Sequence, residues 1–459
     1  MTRLFGTDGV RGVANQELTP ELAYALGRYG ASVLLKEDTG TRPQVLVGRD
    51  TRISGQMLEA ALTAGLTSVG ADVIQAGILP TPAVAYLTRA WQVDAGVMIS
   101  ASHNPVADNG IKFFSRDGFK LLDSIEDEIQ TVIESKAPSG KLSLLPTDGL
   151  PRPVGKDVGR VQVRTDCLDT YVDFLKSTVT TDLSGIRVVV DCGHGAAHKV
   201  TPRILRELGA TVISLYDEPD GTNINVGCGS THPQAAQAAV KEHKADIGLA
   251  HDGDADRVIA IDEQGNIIDG DYILVICGLH LLKQERLHHN RMAVTVYSNL
   301  GVRAALQAAG GDVVVTANGD RYVLEAMQNQ GLNLGGEQSG HIIFLDHNTT
   351  GDGVLTALQL LSVVKERGLS LSVLAKQLEK YPQVLRNVPV TDKRGWGENP
   401  RIKEAIASAT ELLGDQGRIF VRASGTEPVI RVMAEGPSPD IVGQVVSKVA
   451  KTIQAELGE

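Results

Sequence analysis

Aromatic residues make up only 4% of this 459-residue chain, and cysteine occurs just four times, at Cys167, Cys192, Cys228 and Cys277, with no Cys-x-x-Cys pair. Spacing this wide provides neither the clustered thiolates of a zinc site nor a disulfide framework; free thiols in a reducing cytoplasm are the expectation. No stretch reaches the ~18 consecutive apolar residues of a membrane-spanning helix. The residues from Met1 to Gly9 hold no apolar signal-peptide core, so neither export nor a membrane is expected. Positive charge is also short. The 44 Lys and Arg against 55 Asp and Glu leave a net charge of -11, which argues against a nucleic-acid partner, because phosphate backbones are held by clustered cations. An anionic small molecule would need a local basic pocket instead. Low-complexity sequence is absent.

What is present is a globular composition, 42% hydrophobic and 22% charged, in a chain long enough for three or four domains at roughly 150 residues each. Short β-branched runs alternate with helical patterns, as in α/β units. Three times the order is the same. Val45 to Val47, Asp72 to Ile74 and Gly96 to Ile99 lead into Ser100-Ala101-Ser102-His103-Asn104-Pro105. Val188 to Val190, Thr211 to Ile213 and Asp246 to Leu249 lead into Asp252-Gly253-Asp254-Ala255-Asp256-Arg257. Val294 to Val296, Asp312 to Val315 and Asn333-Leu334 lead into Gly335-Gly336-Glu337-Gln338-Ser339-Gly340-His341. Each polar loop is followed at once by a further apolar run, Ile111 to Phe114, Val258 to Ile261 and Ile342 to Leu345. Three copies of one unit are the simplest account, and ligands of such sheets sit at the carboxyl ends of the strands.

Between strands, Thr19-Pro20 and Thr81-Pro82 each place a capping residue before a first-turn proline. The Pro, Gly and Ser-rich stretch from Ala137 to Gly155 reads as a linker. A helical pattern from Val354 to Arg367 ends the third copy. Beyond it the spacing predicts a helix near Arg401 to Leu413, strands at Ile419 to Arg422 and Val429 to Ala434, and a last helix carrying Ile441, Val445, Val449 and Ile453. The fold class expected is therefore α/β: three similar α/β/α domains with mixed sheets, then a smaller α+β domain, around a central cleft. Their expected bounds are 1–150, with the serine loop; 151–257, with the acidic loop; 258–370, with the Gly336 to His341 loop; and 371–459.

On its own, the loop around Ser102 reads equally well as a turn, since Ser, Asn and Pro favour turns for local reasons. Its place at a strand end, with His103 beside it and Lys112 ten residues on, suits a serine that accepts and returns a phosphoryl group; Ser100 is the local rival. Asp252, Asp254 and Asp256 alternate along a loop whose Gly253 and Ala255 leave room for three carboxylates to converge on a hard cation such as Mg²⁺. Without a cation they would repel one another. Arg257 is placed to reach a phosphate. Glu337, Gln338 and Ser339 offer a carboxylate, an amide and a hydroxyl between glycines, which suits a loop that grasps sugar hydroxyls; His341 alone reads as a structural histidine, and its place in the repeat suits a proton carrier. Arg422, Ser424, Gly425, Thr426 and Arg431 combine cations and hydroxyls with a permissive backbone, the makings of an anion seat. Near the start, Gly6 to Gly12 and Gly48 to Gly55 pair glycine with arginine: Arg11 is placed to neutralise a phosphoserine, whereas Arg49 and Arg52 need do no more than pair with nearby acids.

Taken in this order, the motifs Ser100 to Pro105, Asp252 to Arg257, Gly336 to His341 and Arg422 to Pro428 resemble the α-D-phosphohexomutase superfamily over essentially the whole chain. Phe5 to Gly12, Ile99 to Pro105 and Gly336 to Gly340 are similar, within it, to bacterial members acting on glucosamine phosphates. The resemblance implies a heart-shaped molecule with a phosphorylated Ser102, and one Mg²⁺ per subunit held by Asp252, Asp254, Asp256 and a phosphoserine oxygen. It implies Glu337 and Ser339 on the sugar hydroxyls, and Arg422, Ser424, Gly425, Thr426 and Arg431 on the phosphate not being transferred. Lys112 and His341 would be the general acid-base groups. The implied reaction interconverts glucosamine 6-phosphate and glucosamine 1-phosphate through glucosamine 1,6-bisphosphate, for synthesis of UDP-N-acetylglucosamine and cell-wall precursors. The partner would be that small amino-sugar phosphate, with no nucleic acid and no membrane. A phosphomannomutase or phosphoglucomutase, a metal-dependent sugar phosphatase and a non-catalytic sugar-phosphate binder stay open alternatives, as do a monomer and a homodimer.

Overall fold

The computed structural model describes residues 3–6, 8–35, 42–136, 149–424 and 428–458. The chain divides into two compact units, residues 1–296 with 313–376, and residues 297–312 with 377–459.

In the first unit, strands β1 (Val10–Val13), β2 (Gln44–Arg49), β3 (Asp72–Ile78), β4 (Ala95–Ile99), β5 (Asp108–Ser115) and β6 (Val161–Val163) form one sheet in the order β1-β5-β4-β2-β3-β6. Strands β3, β2 and β4 are parallel, and β5 turns back antiparallel to β4. Helices α1 (Pro20–Leu34), α2 (Ser54–Thr67), α3 (Thr81–Ala90) and α4 (Asp123–Lys136) accompany this sheet. Thr19 caps α1 as its sequence suggests: the hydroxyl accepts the Leu22 N–H, and Pro20 opens the first turn, where it forfeits no hydrogen bond.

The second sheet, in the order β11-β10-β9-β7-β8, comprises β7 (Arg187–Asp191), β8 (Thr211–Leu215), β9 (Ile247–His251), β10 (Val258–Asp262) and β11 (Ile267–Ile268). Its parallel strands β8, β7 and β9 repeat the first arrangement, and β10 is antiparallel to β9. Helices α5 (Cys167–Ser177), α6 (Ala197–Glu207) and α7 (Gln234–His243) belong to this stretch of chain. Val188, Val189 and Val190 are all fully buried, as befits a central strand covered on both faces. Each such side chain contributes on the order of 1.5–3 kcal/mol by leaving water.

Helix α8 (Gly270–Lys283) precedes the third sheet, and α9 (Leu300–Ala308) falls in the second unit. The sheet runs β13-β12-β14-β15, with β12 (Arg291–Thr295), β13 (Asp312–Thr316), β14 (Leu334–Gly336) and β15 (Ile342–Phe344). Again the third strand runs parallel to the first and the fourth turns back antiparallel. Helices α10 (Asp320–Gln330), α11 (Gly353–Arg367) and α12 (Leu371–Ala375) complete this part. The internal repeat read from the sequence is thus one strand order used three times.

Hydrogen bonding places the sheet boundaries beyond residues 150 and 257. The strand at 161–163 pairs with β3, and residues 258–268 complete the second sheet. The cause in both cases is that a strand joins whichever open edge lies beside it, whatever its position relative to a loop. Most of the expected linker, residues 137–148, lies outside the described residues.

The second unit carries strands β16 (Gln383–Pro389), β17 (Arg418–Ala423) and β18 (Val429–Glu435) in the antiparallel order β16-β18-β17, with helices α13 (Pro400–Leu413) and α14 (Pro439–Leu457). Its core joins Ile402, Ala405 and Ala409 of α13 and Val442, Val445, Val449 and Ile453 of α14 to Ile430 and Val432 of β18. Asn399 and Ser438 cap the two helices.

Candidate active site

The polar loops 100–107, 252–257 and 337–341 leave the carboxyl ends of β4, β9 and β14, and in the first unit they meet. The Ser102 hydroxyl donates to Asp252 Oδ2 at 2.6 Å. Lys112, on β5, reaches Asp254 Oδ2 at 2.9 Å. His341 Nδ1 lies 3.5 Å from Asp256 Oδ2, and Arg257 Nη1 lies 3.0 Å from His103 Nδ1. The Val258 N–H donates to the Gly340 carbonyl at 3.2 Å, joining the second loop to the third. Such approach requires glycine at two points. A Cβ on Gly253 would stand 2.6 Å from the Ser102 carbonyl oxygen, and one on Gly340, at φ +91°, would stand 2.2 Å from that of Val258.

Ser102, the three aspartates, Lys112 and His341 are each at most 2% exposed, so their charges act on one another with little screening by water. Burial, then Asp256 and Asp254, push the Asp252 carboxyl well above the usual carboxylate range. Burial acts the same way on Asp256, but His341, Lys112 and Arg257 outweigh it and hold that carboxyl low. Lys112 is raised despite its burial, because Asp254, Asp8 and Asp256 favour the ammonium. His103 is pushed down to about 4 by burial and by Arg257 and Arg11, and so stays neutral. Its Nδ1 faces the Ser102 hydroxyl at 3.4 Å. His341 is raised, Asp256 and Asp320 outweighing its burial. The Gly351 N–H donates to His341 Nε2 at 3.1 Å, so the neutral ring carries its proton on Nδ1, facing Asp256.

The acidic triplet suits a cation. Asp252, Asp254 and Asp256 each offer an oxygen, all within 4.8 Å of one another and all buried. Among the described residues, Asp254 Oδ1 and Asp256 Oδ1 are buried acceptors without a hydrogen-bond donor. Converging hard oxygen ligands of this kind are what Mg²⁺ takes.

The structure also recruits residues whose part the sequence does not announce. Thr81 does not cap α3. It is the first helical residue, and its hydroxyl donates to Asp254 Oδ2 at 2.5 Å. Asp8 accepts from Lys112 at 2.8 Å and from Lys120 at 2.5 Å and pairs with Arg11, so Arg11 joins the charge network through Asp8. Lys120 also pairs with Asp320, which lies 3.5 Å from His341 Nε2. Glycine and charge in Gly6 to Gly12 were the one local sign that Asp8 matters; Thr81, Lys120 and Asp320 carry none. Glu337 accepts the Gly319 N–H at 3.2 Å and a hydroxyl bond from Ser339 at 3.3 Å, and its charge reaches Arg257. Ser100, the rival of Ser102, is engaged elsewhere: its hydroxyl donates to Asp50 at 2.6 Å and accepts the Ser102 N–H. Arg49 pairs with Glu59.

In the second unit, Arg422 and Arg431 face each other across β17 and β18. Arg422 Nε donates to the Tyr297 hydroxyl, and the Lys393 ammonium donates to the Ser424 carbonyl at 2.6 Å. Like charges directly opposite on a sheet are unfavourable unless an anion offsets them. Gly425 and Thr426 lie outside the described residues.

Four domain families match consecutive stretches of the chain: phosphoglucomutase/phosphomannomutase alpha/beta/alpha domain I at residues 2–139, domain II at 169–265, domain III at 269–381, and the C-terminal domain at 385–452. A phosphoglucosamine mutase of Heliobacterium modesticaldum is 57% identical over 456 residues, covering 98% of this chain and 99% of that one. One from Geobacillus thermodenitrificans is 53% identical over 458 residues and covers 100% of both. Among solved structures, a phosphoglucomutase/phosphomannomutase family protein of Burkholderia thailandensis superposes with a TM-score of 0.82 at 23% identity, over 99% of this chain and 98% of that one. The N-acetylphosphoglucosamine mutase of Aspergillus fumigatus, solved with GlcNAc-6P and magnesium, gives 0.68 at 17% identity, over 98% and 95%. At these identities the solved structures speak for the fold alone. The chain is an enzyme of the phosphoglucomutase/phosphomannomutase family and belongs among its phosphoglucosamine mutases.

Proposed function

We propose that this enzyme interconverts glucosamine 6-phosphate and glucosamine 1-phosphate, with Ser102 carrying the phosphoryl group and glucosamine 1,6-bisphosphate as the intermediate. The observation that carries the reading is the Ser102 hydroxyl, buried and 2.6 Å from a carboxylate of the acidic triplet. The names of relatives 53–57% identical to this chain supply the amino sugar.

Asp252, Asp254 and Asp256 would hold Mg²⁺ together with an oxygen of phosphorylated Ser102; when bound, the ion supplies positive charge against the phosphoryl oxygens. The protein's own groups do the rest. In the first half, the bond from phosphorus to Ser102 Oγ breaks, a bond to the sugar hydroxyl oxygen forms, the hydroxyl proton leaves to a base, and a general acid returns a proton to Ser102 Oγ. The second half runs the same exchange with the other phosphate and restores phosphoserine. Lys112, charged in the resting protein, would be the acid and His341 the other acid-base group, and the proton transfers reverse in the second half. Lys112, kept charged by Asp254 and Asp8, also neutralises phosphoryl charge beside Arg11 and Arg257. Neutral His103 stands beside the serine oxygen. Glu337 and Ser339 would bind sugar hydroxyls. In the second unit, Arg422, Ser424, Gly425, Thr426 and Arg431 would bind the phosphate not in transfer.

The proposed domains are, by chain order, 1–150, 151–257, 258–370 and 371–459, with the strands at 161–163 and 258–268 completing the sheets of the domains that precede them. A reducing cytoplasm accords with the four free, buried cysteines. Among the described residues no helix is long and apolar enough to cross a membrane.

The test is an assay of the purified protein with glucosamine 6-phosphate, mannose 6-phosphate and glucose 6-phosphate, following both isomerisation and free phosphate. Preferred isomerisation of the amino sugar supports the reading. Preference for another hexose moves the activity to that sugar, and phosphate release without isomer makes the protein a phosphatase.

A further inference from the structure

Arg52 is wholly buried, and all five of its guanidinium N–H groups are used. Nε donates to Asp50 Oδ2 at 2.9 Å. Nη2 donates to the carbonyls of Ser102 and Asn104, each at 2.9 Å. Nη1 donates to the carbonyls of Pro105 and Asp108. Three carbonyls of the serine loop and the one that opens β5 thus converge on a single side chain from another loop, and the ion pair with Asp50 accounts for only one of its bonds.

A second residue, from a different stretch of chain, bonds the same two carbonyls. Asn225, from the connection between β8 and α7, donates Nδ2 to the Ser102 carbonyl at 2.9 Å and to the Asn104 carbonyl at 3.2 Å. Gly253 leaves the room for this, since a Cβ there would meet both the Ser102 carbonyl oxygen and Asn225 Nδ2. Beneath the loop, the Ser102 N–H donates to Ser100 Oγ, and Ser100 donates to the same Asp50 oxygen that Arg52 Nε holds.

Such restraint has work to do. Ser102 sits at φ +53°, in the left-handed region that a serine does not choose unaided. Released from its carbonyl bonds, the peptide after Ser102 would relax toward ordinary backbone and swing the hydroxyl away from Asp252.

We propose that Arg52 and Asn225 are positioning residues that together hold the Ser102 carbonyl from two separate loops and thereby aim its hydroxyl at the acidic triplet. Neither would touch the sugar phosphate; both act through the backbone of Ser102. The proposal rests on the reading of Ser102 as the phosphoryl carrier, but the clamp itself is a property of the resting protein.

The experiment therefore reads both. Arg52→Lys keeps a cation beside Asp50 but replaces the planar fork by a single ammonium that cannot span four carbonyls. Asn225→Ala removes the other side of the clamp without touching Arg52. In each variant kcat falls by about 10- to 100-fold while KM and Mg²⁺ affinity stay within about threefold, because misaligned reacting groups cost rate and leave ground-state binding alone. Amide hydrogen exchange over residues 101–108 rises by about tenfold or more in the resting variants, with the rest of the unit unchanged. A folded Asn225→Ala protein with wild-type kcat and wild-type exchange overturns the clamp. So does a kcat loss accompanied by uniformly faster exchange, which is general destabilisation. Should the wild-type protein isomerise no hexose phosphate while the exchange result holds, the clamp stands and the proposed activity falls.

Discussion

Ser102 and Asp252, 150 residues apart in sequence, share a hydrogen bond of 2.6 Å in which the hydroxyl donates and the carboxylate accepts. That bond polarises the serine oxygen and places it at the edge of the acidic triplet. Changing Ser102 to alanine leaves no oxygen to accept phosphorus. Isomerisation of glucosamine 6-phosphate is expected to drop by about a thousandfold or more. Intact-mass measurement should find a mass increment of one phosphoryl group on the wild-type chain and none on the variant. Because Ser100 is committed to Asp50 and to the Ser102 N–H, it should not substitute; turnover persisting in Ser102→Ala would reassign the role to it.

The three aspartates bear on stability as well as on activity. Buried together, they raise the Asp252 carboxyl by mutual repulsion and burial, and a cation relieves that repulsion. Chelation should therefore lower the thermal midpoint of the wild-type enzyme, and Mg²⁺ at 100 times its dissociation constant should restore about 2.7 kcal/mol. Asp252→Asn keeps an acceptor for Ser102 and removes one charge. Under chelation its midpoint should equal or exceed that of the wild type, and added Mg²⁺ should hardly move it. A variant that melts lower than chelated wild type would show that the triplet is not under electrostatic stress.

Arg422 and Arg431, opposed across β17 and β18, are the groups expected to hold an anion in the second unit. Methionine at either position removes charge while keeping length. The KM for glucosamine 6-phosphate should rise by roughly 10- to 100-fold, the range set by one charge-assisted hydrogen bond. Mg²⁺ affinity, measured by titration calorimetry, should stay within about threefold. Equal loss of metal and substrate binding would mean that the anion seat lies elsewhere.

A pH dependence of stability follows from Asp191, at the end of β7. Burial pushes its carboxyl up to about 6, against two backbone N–H bonds from Gly193 and Gly229 that favour the charged form. A carboxyl whose folded pKa exceeds its unfolded one lends stability that is complete below about pH 4 and is lost as pH rises through about 6. Relative to Asp191→Asn, which cannot titrate, the wild type should lose roughly 3 kcal/mol of unfolding free energy across that window. Denaturant unfolding of both proteins at pH 4 and pH 7 measures the difference. An identical gap at the two values would place the Asp191 carboxyl at its ordinary pKa.

The repeated α/β unit was legible because its signal is local. Runs such as Val188 to Val190, the proline after Thr19, and the apolar spacing of Ile441 to Ile453 each act over a few residues of their own chain. The polar loops at 100–107, 252–257 and 337–341 were legible for the same reason, since each interrupts an apolar pattern at the same point of the repeat. Thr81 shows the limit. Its Thr-Pro setting promises a helix cap, yet the nearby Asp254 carboxylate offers a better acceptor for the hydroxyl than an N–H offers as donor, and that carboxylate lies 173 residues away in sequence. Arg52 shows the same limit: Asp50 two residues before it suggests an ion pair, which exists, but four of its donors serve a segment some 50 residues further along the chain.

By itself, then, the order of residues determined which segments become strands and helices, that the unit recurs three times, and where the reactive side chains leave the sheets. Only the folded chain decided that Ser102 meets Asp252, that Lys112 is shared by Asp254 and Asp8, and that Arg52 and Asn225 close on one carbonyl. Periodicity and capping are set by neighbours along the backbone, whereas these meetings are set by how separate sheets pack, and packing depends on shape and charge summed over residues that no local pattern connects.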